Sequence, residues 1–502
     1  MDLIGHLALG FGVALTPINL IYALIGVLVG TLIGVLPGIG PVATIAMLLP
    51  TTYALQPVSA LIMLAGIYYG AQYGGSTTSI LLNMPGETSS AVTCLDGHQM
   101  ALKGQAGAAL AIAAIGSFFA GCISTVFVAT VAVPLSELAL KFGPAEYCSL
   151  MWLGLIGAVV LAHGSLLKAI AMIVLGLLLG IVGTDVNSGT ARFAFGIPEL
   201  IDGIGIVSVA MGLFGFAEII TNLESVEKRE LLTTKVSGLW LNRQQFRDAW
   251  PAVLRGTGLG SFLGLLPGGG AMLASFASYA FEKKVSKDPS RFGKGAIQGV
   301  AGPESANNAG AQTSFIPLLT LGIPENAVMA LMVGAMTIHN IQPGPQVMTS
   351  NPALFWGLVS SMWVGNLMLV VLNLPLIGIW VKLLQVPYRV LYPAILLFCS
   401  IGVYTISNAS FDVLQTAVFG ALGVLFVKLE CEPAPLLLGF VLGPMMEENL
   451  RRALLLSRGD PTVFVTRPIS LTLLLAAVAL LVLIALPNIR MKREQVFEEA
   501  ET

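Results

Sequence analysis

Residues 26–40 read GVLVGTLIGVLPGIG, and residues 256–270 read GTGLGSFLGLLPGGG. Offset by 230 positions, Gly26, Gly30, Gly34, Pro37, Gly38 and Gly40 fall on Gly256, Gly260, Gly264, Pro267, Gly268 and Gly270, and Leu36 falls on Leu266. Glycine is abundant in the chain, but five aligned glycines with the proline and its preceding leucine exceed coincidence. A looser second match sets Gly74–Pro85 against Thr313–Pro324. Each copy of the first motif is apolar and ends where Pro removes a backbone donor and Gly opens unusual dihedrals. The chain therefore reads as two copies of one apolar helix, broken at the same point.

Composition says where such a helix lives. Of 502 residues, 56% are hydrophobic and only 10% charged, against about 25% charged in a soluble domain. No charge occurs between Asp2 and Glu87, from Gly104 to Ser136, or from Asn326 to Val381. Each run exceeds the roughly 20 apolar residues that cross a bilayer. The fold class is an all-α polytopic membrane protein embedded in a lipid bilayer, which excludes soluble enzymes, nucleic-acid binders and single-anchor receptors. The net charge of −2 carries little information here. Cys94, Cys122, Cys148, Cys399 and Cys431 are scattered and read as packing residues. The start, MDLIGHLALG, lacks a basic region and a cleavage site, so the first segment is expected to be retained.

Charge-free runs cut by Pro and polar breaks give segments near 18–36, 57–72, 106–133, 146–162, 168–183 and 201–221. Further segments follow near 250–266, 268–281, 296–312, 327–340, 353–374, 391–407, 412–428, 434–446 and 469–487. That predicts about 11 to 13 crossings. Of the 25 Lys and Arg, 11 lie between Lys228 and Lys294, which assigns the central linker and the loop after residue 281 to the cytoplasm. The flanks of the first motif, at Pro17 and Thr51–Pro57, carry no charge and suit the opposite side. Equal motifs in opposite orientation predict two inverted-topology repeats with re-entrant, Pro/Gly-broken hairpins. The predicted division is a first repeat over 1–221, a cytoplasmic linker over 222–248, a second repeat over 249–448 and a C-terminal extension over 449–502. Arg451, Arg452, Arg458 and Arg467 before the last segment, with Arg490, Lys492 and Arg493 after it, resist a simple orientation of that helix.

Broken membrane helices are tolerated where the freed backbone groups are buried in protein or line a cavity. Pro37, Gly38, Gly40 and Pro41, with Gly268, Gly269 and Gly270 after Pro267, are read as hairpin tips whose helix N-termini face an anion. Gly26, Gly30, Gly34 and Gly38 also form a small-residue stripe that lets helices approach closely. The hydroxyl run Ser76, Thr77, Thr78 and Ser79, followed by Asn83, Pro85 and Gly86, can donate to carboxylate oxygens without an intramembrane cation. In the second half Thr313, Ser314 and Pro324 occupy the matching region. Asn307 and Asn308, with Glu304 and Glu325, offer oxygens to Na⁺. Intramembrane carboxyls of this kind carry function by default, although Ser, Thr and Asn also serve as interhelical hydrogen-bond partners. Asp185, Glu218 and Asp412 lie nearer predicted segment ends and are expected to face water. His6, His98, His163 and His339 have no metal-ligand spacing, and no GxxxxGK[ST] string supplies nucleotide hydrolysis.

The run Gly34-Val35-Leu36-Pro37-Gly38-Ile39-Gly40-Pro41 is followed by Tyr68-Tyr69-Gly70-Ala71-Gln72-Tyr73-Gly74-Gly75-Ser76 and Asn83-Met84-Pro85-Gly86-Glu87. With Thr93-Cys94-Leu95-Asp96-Gly97 and Glu448-Asn449-Leu450-Arg451-Arg452-Ala453-Leu454, these residues resemble the large membrane subunit of tripartite tricarboxylate transporters. The resemblance spans nearly the whole chain; His98 stands where a proline is expected. It implies a bacterial inner-membrane importer of small carboxylates, citrate-like in type. A periplasmic solute-binding protein would deliver the substrate and a small multi-pass membrane subunit would complete the complex. It implies no cofactor beyond a coupling ion, Na⁺ or H⁺. Two other readings stand beside this one: a passive organic-anion channel, and an intramembrane serine hydrolase using Ser76 with His98 or His339.

The predicted topology has a direct test. Ser286→Cys should label only from the cytoplasm, and Gln56→Cys and Ser350→Cys only from outside. Labelling of Gln56→Cys and Ser286→Cys on one face would dismantle the inverted repeat.

Overall fold

The computed structural model describes residues 3–36, 40–161, 165–185, 188–224, 238–266, 270–384 and 388–485. It is almost entirely helical, with one two-stranded antiparallel ribbon pairing Gly183 with Arg192. Among the described residues, four helices are long and apolar enough to cross a membrane: Pro17–Val35, Ala106–Ala139, Pro352–Asn373 and Ser410–Lys428. Shorter apolar helices accompany them, among them Gly40–Thr52, Leu166–Gly180 and Ala327–Ile338. Helices beginning at Pro17, Pro57, Pro352 and Pro433 exploit the first-turn position, where a missing N–H costs nothing.

The motif helices are α1 (Pro17–Val35), α2 (Gly40–Thr52) and α3 (Pro57–Leu82) in the first half. Their counterparts are α4 (Arg243–Leu263), α5 (Gly270–Val285) and α6 (Gln298–Thr313) in the second. A methyl group at Gly26, Gly30 or Gly34 would overlap the carbonyl oxygens of Met63, Ile67 or Ala71 on α3. At Gly256, Gly260 or Gly264 it would overlap those of Gly302, Ala306 or Gly310 on α6. The glycine stripe is therefore a backbone-to-backbone seam in both halves, which permits the close approach that larger residues prevent.

Helix α3 continues ten residues past the expected segment end at residue 72, so the hydroxyl run is helical and buried. It stops at Asn83, whose φ of 56° is the left-handed conformation that ends helices. The α6 region stops the same way, after a short helix Phe315–Leu321, at Gly322 with φ 74°. The tips themselves, Pro37–Ile39 and Pro267–Gly269, lie outside the described residues, as do the linker 225–237, His163, and Arg490, Lys492 and Arg493.

Helix 433–456 lies across the other half: Gly176 and Gly180 of helix 166–180 sit against Leu436 and Phe440. Its C-terminal turns are pinned by ion pairs. Arg451 bonds Asp185 at 2.9 Å and Glu447 at 2.6 Å, and Glu447 also accepts from Arg192 at 2.7 Å. Arg467 reaches the buried Glu146 at 2.9 Å. Asp185 is therefore buried at 6% exposure, contrary to the expectation that it faces water. A paired guanidinium makes that burial tolerable. Arg451 and Arg467, which troubled the orientation of the last segment, are thus engaged within the protein.

Asp96, fully buried, ties the halves together. Its carboxylate accepts from the Gly295 and Ala296 amides at 2.7 Å each and from the Tyr279 hydroxyl at 3.0 Å. Those amides belong to the turn leading into α6, where unpaired N–H groups and the helix dipole favour an anion. Asp96→Ala should destabilise the protein by about 3 kcal/mol or more, because the buried Ala296 amide and the half-buried Gly295 amide lose their shared partner. Asp96→Asn, which keeps one acceptor oxygen, should fall between. Thermal unfolding in detergent tests this; equal midpoints for wild type and Asp96→Ala would remove the cap from the account.

Candidate functional site

The polar residues predicted from the two halves meet where α3, α6 and the loops after them converge. Glu304, at 0% exposure, is the hub. Ser76 Oγ donates to one of its oxygens at 2.6 Å, and Thr93 donates to the other. One turn on, Asn308 Nδ2 donates to the Glu304 carbonyl at 3.1 Å and to Ser117 Oγ at 2.7 Å. Asn307 Nδ2 lies 3.5 Å from Glu87, a carboxylate that also receives the Ser89 hydroxyl. Positions 304, 307 and 308 are neighbours on one helix face by their spacing of three and four. An all-round buried helix can afford such a face only opposite partners that satisfy it.

A second cluster surrounds Glu325, also fully buried. Its Oε1 accepts from Ser314 and, at 2.8 Å, from Asn326 Nδ2, which also lies 3.2 Å from the Tyr68 hydroxyl. Asn326 Oδ1 caps helix Ala327–Ile338 through the Met329 amide. Gly270, φ 40°, starts α5 directly beside this carboxylate: a Cβ there would stand 2.8 Å from Glu325 Oε1. Gly40, φ 60°, starts α2 in the same conformation, and its Cβ position lies 3.7 Å from Glu218 Oε2. Each return helix thus begins at a positive-φ glycine next to a carboxylate. Glu218 is half-buried on a helix with a π-helical stretch at Met211–Phe216, and does not simply face water as its position near a segment end suggested.

The remaining candidates divide. Thr78 Oγ1 donates to the Gly34 and Val35 carbonyls, at 3.2 and 2.9 Å, closing the orphaned end of α1. Ser79 reaches Ser90 at 3.0 Å, and Gly86 fits against Gly34 and Gly75, where no side chain would. Thr77 and Ser76 line a small cleft with Tyr73 and Ser117. Thr313 bonds within its own helix at 3.1 Å and touches the seam at Gly264. Pro41 and Pro324 are buried, whereas Asn83 and Pro85 are exposed. Pro37, Gly38, Gly268 and Gly269 lie outside the described residues.

Asn307 Oδ1 and Asn308 Oδ1 in the first cluster and Glu325 Oε2 in the second are buried without a protein partner among the described residues, as are Ser275 Oγ on α5 and both side-chain polar atoms of Gln312 on α6. Buried polar groups are normally paired. A set of side-chain oxygens left over beside carboxylates suits a hard cation such as Na⁺, or water.

Residues 20–438 match the tripartite tricarboxylate transporter TctA family. The chain belongs to that family. This TctA-family chain is a transporter component and not an enzyme, and Ser76 is spent on Glu304 rather than on a histidine. An uncharacterized 52.8 kDa protein in the TAR-I ttuC' 3' region of Agrobacterium vitis is 61% identical over 501 residues, covering 100% of both chains. An uncharacterized protein in the TAR-II ttuC' 3' region of the same organism is 65% identical over 240 residues, 48% of this chain and 99% of its own. No solved structure matches.

Glu87, Thr93, Tyr68 and Ser117 join these two clusters without having been singled out as site residues. The looser repeat match held a signal for one of them: extended by two residues, it pairs Glu87 with Asn326. Nothing in spacing pointed to Ser117 or Thr93, which arrive from elements distant in sequence. Glu304→Gln should lower uptake about 10- to 100-fold, the worth of one or two charge-assisted hydrogen bonds. Ser76→Ala should do less, and Thr78→Ala should act on stability more than on uptake. Cellular uptake normalised to membrane-inserted protein checks this; wild-type uptake by Glu304→Gln would take Glu304 out of the site.

Proposed function

We propose that this chain is the membrane-embedded transport subunit of a binding-protein-dependent secondary transporter, importing tricarboxylates or related small organic carboxylates by Na⁺ or H⁺ symport. The observation that carries the reading is the equivalence of the two breaks. Gly40 and Gly270, at the 230 offset, both take positive φ, and Asn83 and Gly322, related by the looser match, both end helices in the left-handed conformation. Seams at Gly26–Gly34 and Gly256–Gly264 contact matching stretches of the partner helices. These equivalences support two structural repeats, read as inverted from the charge asymmetry of their flanks.

In this reading the starts of α2 and α5 present backbone N–H groups to substrate carboxylates, assisted by hydroxyls such as Thr77. The surrounding carboxyls make a cation necessary. Glu87, Glu304 and Glu325 beside a bound polyanion would repel it strongly in a low-dielectric interior. Na⁺ held at Glu304 with Asn307 and Asn308, or at Glu325, or protons on the same carboxyls, removes that penalty only when it arrives with the anion. That is the physical content of symport. The protein would sit in a bacterial inner membrane as a multi-pass subunit, served by a small multi-pass membrane subunit and a periplasmic solute-binding protein.

The test is uptake into proteoliposomes holding this chain and its small membrane partner, with a matched binding protein and labelled carboxylate outside. Accumulation above equilibrium should require both the binding protein and an inward Na⁺ or H⁺ gradient. Uptake that only equilibrates would identify a passive channel instead, and a carboxylate panel with no transported member would discard the substrate class.

A further inference from the structure

The first turns of α4 carry Arg243 and Arg247 one helical turn apart, both exposed, lining a cleft of about 720 Å³ with Phe246 and Trp250. Among the described residues no carboxylate pairs with either arginine. The nearest acid in sequence, Asp248, is held by Gln244 Nε2 at 2.8 Å, and the next arginine, Arg255, is already committed to Glu282 at 2.6 Å. Trp250 stacks on Phe246 at 5.1 Å and meets Phe119 edge-on at 4.8 Å. Below this platform a second, apolar cleft of about 410 Å³ runs between α4 and helix Ala106–Ala139, lined by Ile123, Phe127, Leu254 and Phe262. Its floor is Gly258, where an added Cβ would meet nothing within 4 Å. Ser124 and Ser261 bond each other beneath it at 2.8 Å, so the floor holds no free polar group of theirs.

From Leu254 to Phe262 the apolar cleft runs about 12 Å at 1.5 Å per residue, most of the roughly 15 Å of one hydrocarbon leaflet. Two guanidiniums with no carboxylate partner among the described residues at one end, an aromatic contact between Trp250 and Phe119 joining the two clefts, and an apolar channel most of one leaflet deep complement one chemistry. We infer that Arg243, Arg247 and the groove over Gly258 form a specific site for an anionic phospholipid. The arginines bind its phosphate, each presenting paired donors to the oxygens, and one acyl chain lies along Leu254, Gly258 and Phe262. The charge at the head of the groove is what favours a lipid over an apolar partner helix. The inference stands apart from the transport site, and its failure would leave that reading untouched.

Full-length protein in mild detergent is titrated with phosphatidylglycerol or phosphatidylcholine, read by native mass spectrometry and by thermal unfolding. Phosphatidylglycerol should be retained and raise the midpoint, and phosphatidylcholine should do neither. Arg243→Gln with Arg247→Gln should weaken binding roughly tenfold or more. Gly258→Leu, with both arginines intact, should also abolish retention, because its side chain occupies the channel. Arg458→Gln, a distant exposed arginine, should change nothing. Equal responses to the two lipids, equal loss in Arg458→Gln, or unchanged phosphatidylglycerol binding in both site variants would overturn the assignment. So would Gly258→Leu releasing the small membrane subunit while leaving lipid binding intact, since the groove would then be a protein interface.

Discussion

The architecture depends on helix backbones touching. Where α1 crosses α3 and α4 crosses α6, glycines put one chain against the carbonyl oxygens of the other, a distance no side chain permits. In a bilayer, water offers no hydrophobic drive between helices, so close dispersion contact is the force available. Thr78 can seal the Gly34 and Val35 carbonyls only because Gly74 lets α3 lie on Thr31 and Gly34.

The second constraint is polar satisfaction in a place that cannot offer water freely. Polar groups are matched to one another instead: hydroxyls donate to carbonyls, and hydroxyls and amides donate to carboxylates. Asp96 is the clearest structural member, accepting amides from the far half of the chain. Glu304 and Glu325 belong to another kind. Both Glu304 oxygens and one of Glu325 accept hydrogen bonds, while Glu325 Oε2, Asn307 Oδ1 and Asn308 Oδ1 have no partner among the described residues. Asp96 ends its accounting within the protein, whereas the surroundings of Glu304 and Glu325 leave acceptors over.

Membrane character and the two breaks were legible in the chain because both are local properties. A charge-free run longer than a bilayer and a Pro-Gly interruption need no tertiary partner to be recognised. The hydroxyl run was legible as polar, but its division of labour was not. Ser76 faces Glu304, while Thr78 two residues on serves the end of α1. On a helix those positions point in different directions, and only the neighbours decide what each does. Asp185 shows the converse: proximity to a segment end suggested water, and an arginine 266 residues away supplied burial instead.

Sequence by itself determined that the chain crosses a membrane, that it carries one broken-helix motif twice, and which family it resembles. Each rests on composition, repetition or motif, which are written along the chain. Tertiary structure alone decided that Ser76, Thr93 and Glu304 form one cluster, that Glu325 borders the start of α5, and that Arg243 and Arg247 head an apolar groove. Those facts depend on which helix faces which. Several helices are buried nearly all round and carry no amphipathic stripe to announce a partner, so their pairing emerges only when the glycine seams bring them together.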